Sequence, residues 1–298
     1  MKRVRRFAIA ELTGGLGNQL FEYAAARALS LREGRALYFA WNLHRGDSQR
    51  RFMLDAFVLA PDARPRLLSL TTLRLLGLRS PLLNRKSGPL WRLAACRLAS
   101  LQERSFAYAP LTSDAFGVVL DGYFQSYRYF ADQECAIRAE LQLATSARGQ
   151  NAELLRRMAD QNAICLHVRR GDYVADAATS AVHGLLGLDY YRKAIETLGP
   201  AASDATFYVF SDEPAWARTH LRTGRPTIVV EHNGVDAAQE DLRLMMACRH
   251  FVIANSSLSW WGAWLAPSAG KQVIAPRRWF ADPTNDTTDL CPPTWQRL

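Results

Sequence analysis

His167-Val168-Arg169-Arg170-Gly171-Asp172 sets an imidazole, two guanidiniums and a carboxylate at the end of an apolar run, Ala163-Ile164-Cys165-Leu166. Side chains on a strand alternate between faces, so His167 and Arg169 share one side while Leu166 and Val168 pack into the other. A guanidinium is a planar fork of donors that matches a diphosphate. Four polar residues ending a core strand are costly unless something occupies the space they face. The bland alternative is that Arg169 and Asp172 pair with each other. An adhesion tripeptide is a poor reading of Arg170-Gly171-Asp172, because the same triplet recurs at Arg45-Gly46-Asp47 and here follows a core strand.

Three further clusters could carry chemistry. Thr13-Gly14-Gly15-Leu16-Gly17-Asn18-Gln19 lets backbone approach a phosphate or sugar, or else makes a tight turn. It is neither the dinucleotide fingerprint nor a P-loop. Ser211-Asp212-Glu213 offers a carboxylate to a guanine edge or a ribose, or caps a helix starting at Pro214. Asn255-Ser256-Ser257 opens a helix carrying Trp260, Trp261 and Trp264; its hydroxyls and first-turn amides suit an anion, and the indoles either fill the core or line a sugar. No Asp-x-Asp triplet occurs, which favours protein cations over a metal for neutralising phosphate.

Hydrophobic patterning supplies the elements that must position these groups. Residues 6–10 read as a strand, 13–19 as a loop, 20–32 as a helix closed by Gly34, and 36–41 as a second strand. Residues 62–104 read as a Leu-rich, Arg-rich helical insert, with Leu90, Leu93, Leu98 and Leu101 at helical spacing. Its basic side is either a solvated face or a surface for anionic lipid or a lipid-linked substrate. A strand to Leu120 and a helix at 132–141 end the first half. The second half alternates strands at 164–168, 205–210, 227–230, 251–254 and 272–275 with helices at 188–198, 214–221, 239–248 and 258–265. That rhythm implies an α/β chain with parallel sheets, whose ligands bind beyond the carboxyl ends of the strands. The expected domains are 1–148, containing the insert, and 149–298.

The 298 residues carry a net charge of +9, which favours anionic partners. Five scattered cysteines with no Cys-x-x-Cys pair indicate neither zinc nor a disulfide framework. The apolar run near the N-terminus is too short for a signal peptide or a membrane span, so a cytoplasmic protein is expected.

Taken together, "GGLGNQLFEYA", "DGYFQSYRYF", "HVRRGDY", "FYVFSDE" and "DLRLMMACRHFVIANSSLSWWGAWL" resemble the bacterial α-1,2-fucosyltransferases of glycosyltransferase family 11. The resemblance runs in order from Gly14 to Leu265. It implies a GT-B-like fold of two Rossmann-like domains facing across a cleft. It also implies inverting transfer from GDP-β-L-fucose to the 2-hydroxyl of a terminal galactose, with no cofactor and no required metal. In that reading His167, Arg169 and Arg170 contact the GDP, and Arg169 stabilises the departing diphosphate. Asp212 lies near guanine, and Asn255, Ser256 and Ser257 form a phosphate- and ribose-binding turn. Gly14, Gly15 and Asn18 border donor and acceptor. Asp172 either takes the acceptor proton or orients an arginine. Expected partners are GDP-fucose, a galactose-terminated acceptor on a lipid carrier, and an anionic inner membrane face, with no nucleic acid. Three rivals remain. One is a GT-B transferase with another donor. The missing fingerprint disfavours the second, a nicotinamide dehydrogenase, and the lack of a known RNA-binding module disfavours the third, an RNA-binding protein.

Overall fold

The computed structural model describes residues 6–41, 51–60, 62, 98–266 and 269–298, without the side chains of 98, 172, 175 and 177–179. The chain divides into two compact units, Met1–Ala144 and Thr145–Leu298.

In the first unit, β1 (Phe7–Leu12), β2 (Ala36–Trp41), β3 (Leu98–Gln102) and β4 (Gly117–Asp121) form a parallel sheet in the order β2-β1-β4-β3. Helix α1 (Leu16–Glu33) crosses from β1 to β2, and nearly every residue from Leu16 to Ser30 is buried. Its run of small residues, Ala24-Ala25-Ala26 and Ala28, lets the helix lie close on its strands, while Leu20, Phe21 and Leu29 fill the remaining space. Each such large apolar side chain contributes roughly 1.5–3 kcal/mol on full burial. Gly34 ends α1 in the left-handed conformation at φ 61°.

Two expectations change here. Residues 16–19, read as loop, belong to α1, because an extended Gly15 caps the helix and its carbonyl accepts from the Asn18 and Gln19 amides. The C-terminal end of the insert read as helical is strand β3, since parallel pairing with β4 overrides the local leucine spacing of Leu98 and Leu101. The rest of that basic segment, Asp62 apart, lies outside the described residues. Asp62 pairs with Arg27 at 3.1 Å. Arg27 also bonds Glu140, on α2 (Glu134–Glu140), at 2.7 Å and so ties the two helices together. No helix among the described residues is long and apolar enough to cross a membrane.

The second unit is a parallel sheet in the order β10-β9-β8-β5-β6-β7. Its strands are β5 (Asn162–Val168), β6 (Ala205–Ser211), β7 (Thr227–Val230), β8 (His250–Val252), β9 (Val273–Ala275) and β10 (Gln296–Arg297). The chain starts in the middle at β5, winds outward through β6 and β7, then returns to β8 on the other side. The order therefore reverses between β5 and β8, and that is where a doubly wound sheet opens a ligand crevice. Helices α3 (Gly149–Ala159), α4 (Gly171–Ala175), α5 (Ala177–His183), α6 (Leu188–Leu198), α7 (Pro214–His220), α8 (Ala238–Met246) and α9 (Ser257–Leu265) complete the unit. Ile164, Leu166 and Val168 pack with Phe207, Val209 and, from α6, Tyr191, Ala194 and Leu198. The expected alternation on β5 is thus observed, and His167 falls on the opposite face.

Candidate active site

The reversal between β5 and β8 brings two of the sequence clusters to the same carboxyl edge of the sheet, where the topology places a ligand crevice. β5 runs into Arg169-Arg170 and then α4; β8 runs into Asn255-Ser256 and then α9. Tyr173 links the two turns, because its hydroxyl donates to the Asn255 carbonyl at 3.0 Å. The Tyr173 ring stacks on His183 with centroids 4.9 Å apart.

His167 is 5% exposed, and its Nδ1 has no partner among the described residues. Burial, assisted by the charge of Arg169, pushes its pKa down to about 3. The ring is therefore neutral near pH 7. A buried neutral imidazole with one nitrogen unmatched is poised to give or take one hydrogen bond from a ligand.

Asp212 organises the turn after β5. Its Oδ1 accepts from the Arg170 amide at 2.9 Å and its Oδ2 from the Gly171 amide at 3.0 Å. The same carboxylate pairs with Arg169 Nε at 3.2 Å. Asp212 therefore caps α4, not the helix at Pro214 that the sequence suggested; Glu213 stands at that N-cap without a side-chain cap bond. This approach favours a glycine at 171, because a Cβ there would stand 3.0 Å from Asp212 Oδ2 and the carboxylate would have to give way. Arg169 pairs with Asp212 and not solely with a near neighbour in sequence. The Asp172 backbone lies in α4, and its side chain is outside the described part. Arg170 Nε donates to Glu213 at 3.1 Å, and its guanidinium lies 3.9 Å above the Trp216 ring.

On the other side of the crevice, the Asn255 amide nitrogen donates to the carbonyls of His183 at 2.9 Å and Trp279 at 3.1 Å. Those bonds brace the turn, and Asn255 Oδ1 is left buried without a partner among the described residues. Ser256 is the extended N-cap of α9, with no side-chain cap bond. The first amides of a helix have no partner within it, so the N-terminus of α9 at Ser256–Ser257 is the kind of place that suits an anion. Trp260, Trp261 and Trp264 are 0%, 0% and 5% exposed and pack on one another, so all three indoles are core and none lines a sugar.

In the first unit the analogous reversal lies between β1 and β4. Gly14 takes φ 67°, and a Cβ there would meet Asn18 Nδ2 at 2.9 Å. Gly15 faces open space. The loop after β4 answers the loop after β1, because Gln125 Nε2 donates to Asn18 Oδ1 at 3.0 Å. Phe124, just before it, is buried with φ 52°, an uncommon conformation for an aromatic residue, which turns Gln125 inward. Gln19 braces the turn through the carbonyls of Gly14 and Arg51, and Glu22 accepts from the Thr13 amide and hydroxyl.

Gln125, Trp216 and Tyr173 were not singled out from sequence as site residues, although Gln125 and Tyr173 fall inside the quoted motif stretches. Each reaches its partner across tens of residues.

The model of the family described as Glycosyl transferase family 11 matches residues 104–298. O-antigen biosynthesis glycosyltransferase WbnK of Escherichia coli is 31% identical over 96% of this chain and 99% of its own. An alpha-1,2-colitosyltransferase of Escherichia coli is 29% identical over 97% and 98%. Galactoside 2-alpha-L-fucosyltransferase Sec1 of Mus musculus is 26% identical over 89% and 66%. Among solved structures, fucosyltransferase NodZ from Bradyrhizobium aligns with TM-score 0.54 at 17% identity, over 88% of this chain and 93% of that one. This likeness shows the fold, GT-B-like, with two α/β units.

Proposed function

Because the chain belongs to glycosyl transferase family 11, we propose that it transfers L-fucose from GDP-β-L-fucose to the 2-hydroxyl of a terminal galactose, with inversion. The single observation that carries this is the β5–β8 edge, where Arg169 and Arg170 are held in place by Asp212 and Glu213 and the turn after β8 leads into the N-terminus of α9. Such an edge suits the diphosphate of a sugar nucleotide. Negative charge grows on that diphosphate as the glycosidic bond breaks, and Arg169 is the cation proposed to absorb it. His167 and Arg170 hold the nucleotide, and the Ser256–Ser257 turn binds phosphate or ribose. Asp212 acts through its grip on Arg169 and the α4 amides. Asp172 is the proposed base for the acceptor hydroxyl. Charge neutralisation by arginine makes a metal unnecessary, so activity should persist in EDTA. The relative named for O-antigen biosynthesis supports a surface-polysaccharide acceptor.

The colitosyltransferase relative supports a second reading, in which the sugar transferred is colitose. Product mass spectrometry with GDP-fucose, GDP-colitose, GDP-mannose and UDP-galactose, each offered β-galactosides, separates the two. A fucosylated galactoside is the expected product. Transfer from GDP-colitose alone selects the second reading, and transfer from UDP-galactose alone discards both.

A further inference from the structure

Arg170 is held unlike the structural arginines of the same chain. Arg35, 1% exposed, spends its terminal nitrogens on the carbonyls of Ala115, Phe116 and Ser113. Arg297 spends its own on Thr287 and Arg277. Among the described residues, Arg170 is gripped at Nε, by Glu213, and on its flat face, by the indole of Trp216. Its terminal N–H groups have no protein partner among the described residues. Glu213 and Trp216 stand three residues apart at the start of α7, a spacing that puts both on one side of the turn. The grip is itself anchored. Trp216 packs against the apolar cluster beneath β5 and β6 and stacks on His220 with centroids 4.7 Å apart at 16°. The Glu213 amide donates to Ser211 Oγ at 3.0 Å. Arg169 has a looser aromatic neighbour, Tyr173, at 5.7 Å.

We propose that Trp216, together with Glu213, is a positioning element for Arg170: it fixes the guanidinium plane so that the terminal nitrogens present a ready-made fork to the diphosphate of the donor. This rests on the reading of the β5–β8 crevice as the nucleotide site. A long, flexible side chain pre-ordered in this way loses less freedom on binding, so the clamp acts on affinity for the diphosphate and not on the bond-breaking step. Its contribution depends on an aromatic face and not merely on bulk.

The test is calorimetric titration of GDP and of inorganic pyrophosphate into wild type, Trp216→Leu and Trp216→Phe, with melting temperatures and donor kinetics measured on the same preparations. Trp216→Leu is expected to weaken both ligands about 10-fold and to raise the donor KM by the same factor, with kcat within about 2-fold. Trp216→Phe is expected to stay close to wild type. In an Arg170→Ala background, Trp216→Leu should add nothing. If Trp216→Leu does not fold, Trp216→Met takes its place as the non-aromatic variant. The inference is overturned if Leu and Phe variants behave alike, or if the effect survives undiminished without Arg170. Wild-type protein that binds neither GDP nor pyrophosphate overturns the donor reading itself, and the inference with it.

Discussion

At the carboxyl edge of the first sheet, the two loops are joined by neutral amides: Gln125 bonds Asn18 at 3.0 Å beside a left-handed Gly14. At the carboxyl edge of the second, charges join the turns after β5 and β6: Arg169 and Arg170 are set against Asp212 and Glu213, while Tyr173 ties the β5 turn to the one that leads into α9. The two edges share a parallel topology and differ in what they can recognise. Amides give directional bonds at no electrostatic cost and match the hydroxyls of a neutral sugar. Guanidiniums held by carboxylates keep their geometry and match a doubly charged phosphate chain. Two parallel sheets of different size, each with a reversal in strand order, thus present different chemistries at their edges, and the proposed function places the nucleotide at the second and the sugar acceptor at the first.

The sharpest way to break this assignment is Arg169→Ala. Turnover should fall about 10²–10³-fold with an unchanged melting temperature, because Arg169 is part-exposed and outside the apolar cluster. Stopped or single-turnover assays on folded variant decide it, and near-wild-type turnover would remove Arg169 from the chemistry. Gly171→Ala comes next. Its new Cβ pushes on Asp212 and loosens Arg169, so kcat should drop about 10-fold while acceptor KM holds. Gln125→Ala tests the other edge. Losing one hydrogen bond should raise acceptor KM about 5-fold and leave the GDP affinity alone. Equal effects on donor and acceptor would erase the distinction between the edges.

The smallest effect concerns acid stability. The folded-state pKa of His167 lies at about 3, below its ordinary 6.5. The folded protein then binds fewer protons than the unfolded chain between those values. Stability from this residue is complete above 6.5 and is lost as pH falls through the window. Asp241 works in the opposite sense, because burial pushes its carboxyl up to about 6 from 3.8, so its contribution is lost as pH rises through that range. The difference between wild type and His167→Gln isolates the histidine. Wild-type melting temperature should fall more steeply between pH 6.5 and 4.5, and parallel curves would show that His167 does not titrate in this way.

Much of the second unit could be read from its residues. Thr227–Val230 and Leu188–Leu198 appear with the expected ends, because a short β-branched run and a clean helical stripe each allow one interpretation. Leu98–Gln102 could not be read in this way, since a leucine spaced three from another fits a helix until β4 is placed beside it. The start of α1 was hidden for a related reason: Gly17 looks like loop, yet the cap at Gly15 draws it into the helix. At the site, the residue types were legible and the pairings were not. Asp212 sits two residues before Pro214, so a local cap was the natural reading, but its carboxylate turns to Arg170 and Gly171, 42 and 41 positions away. Trp216 gave no local sign of its purpose, because the guanidinium it holds comes from another strand.

Hydrogen–deuterium exchange of the wild-type protein with and without GDP tests the division between the two edges most directly, without any substitution. The account expects slowed exchange in the turn and helix at 169–173 and in the first turn of α9 at 256–260, with the turns at 13–19 and 122–126 unchanged. Protection confined to the glycine turn and the Gln125 loop, with 169–173 and 256–260 exchanging as before, would contradict it.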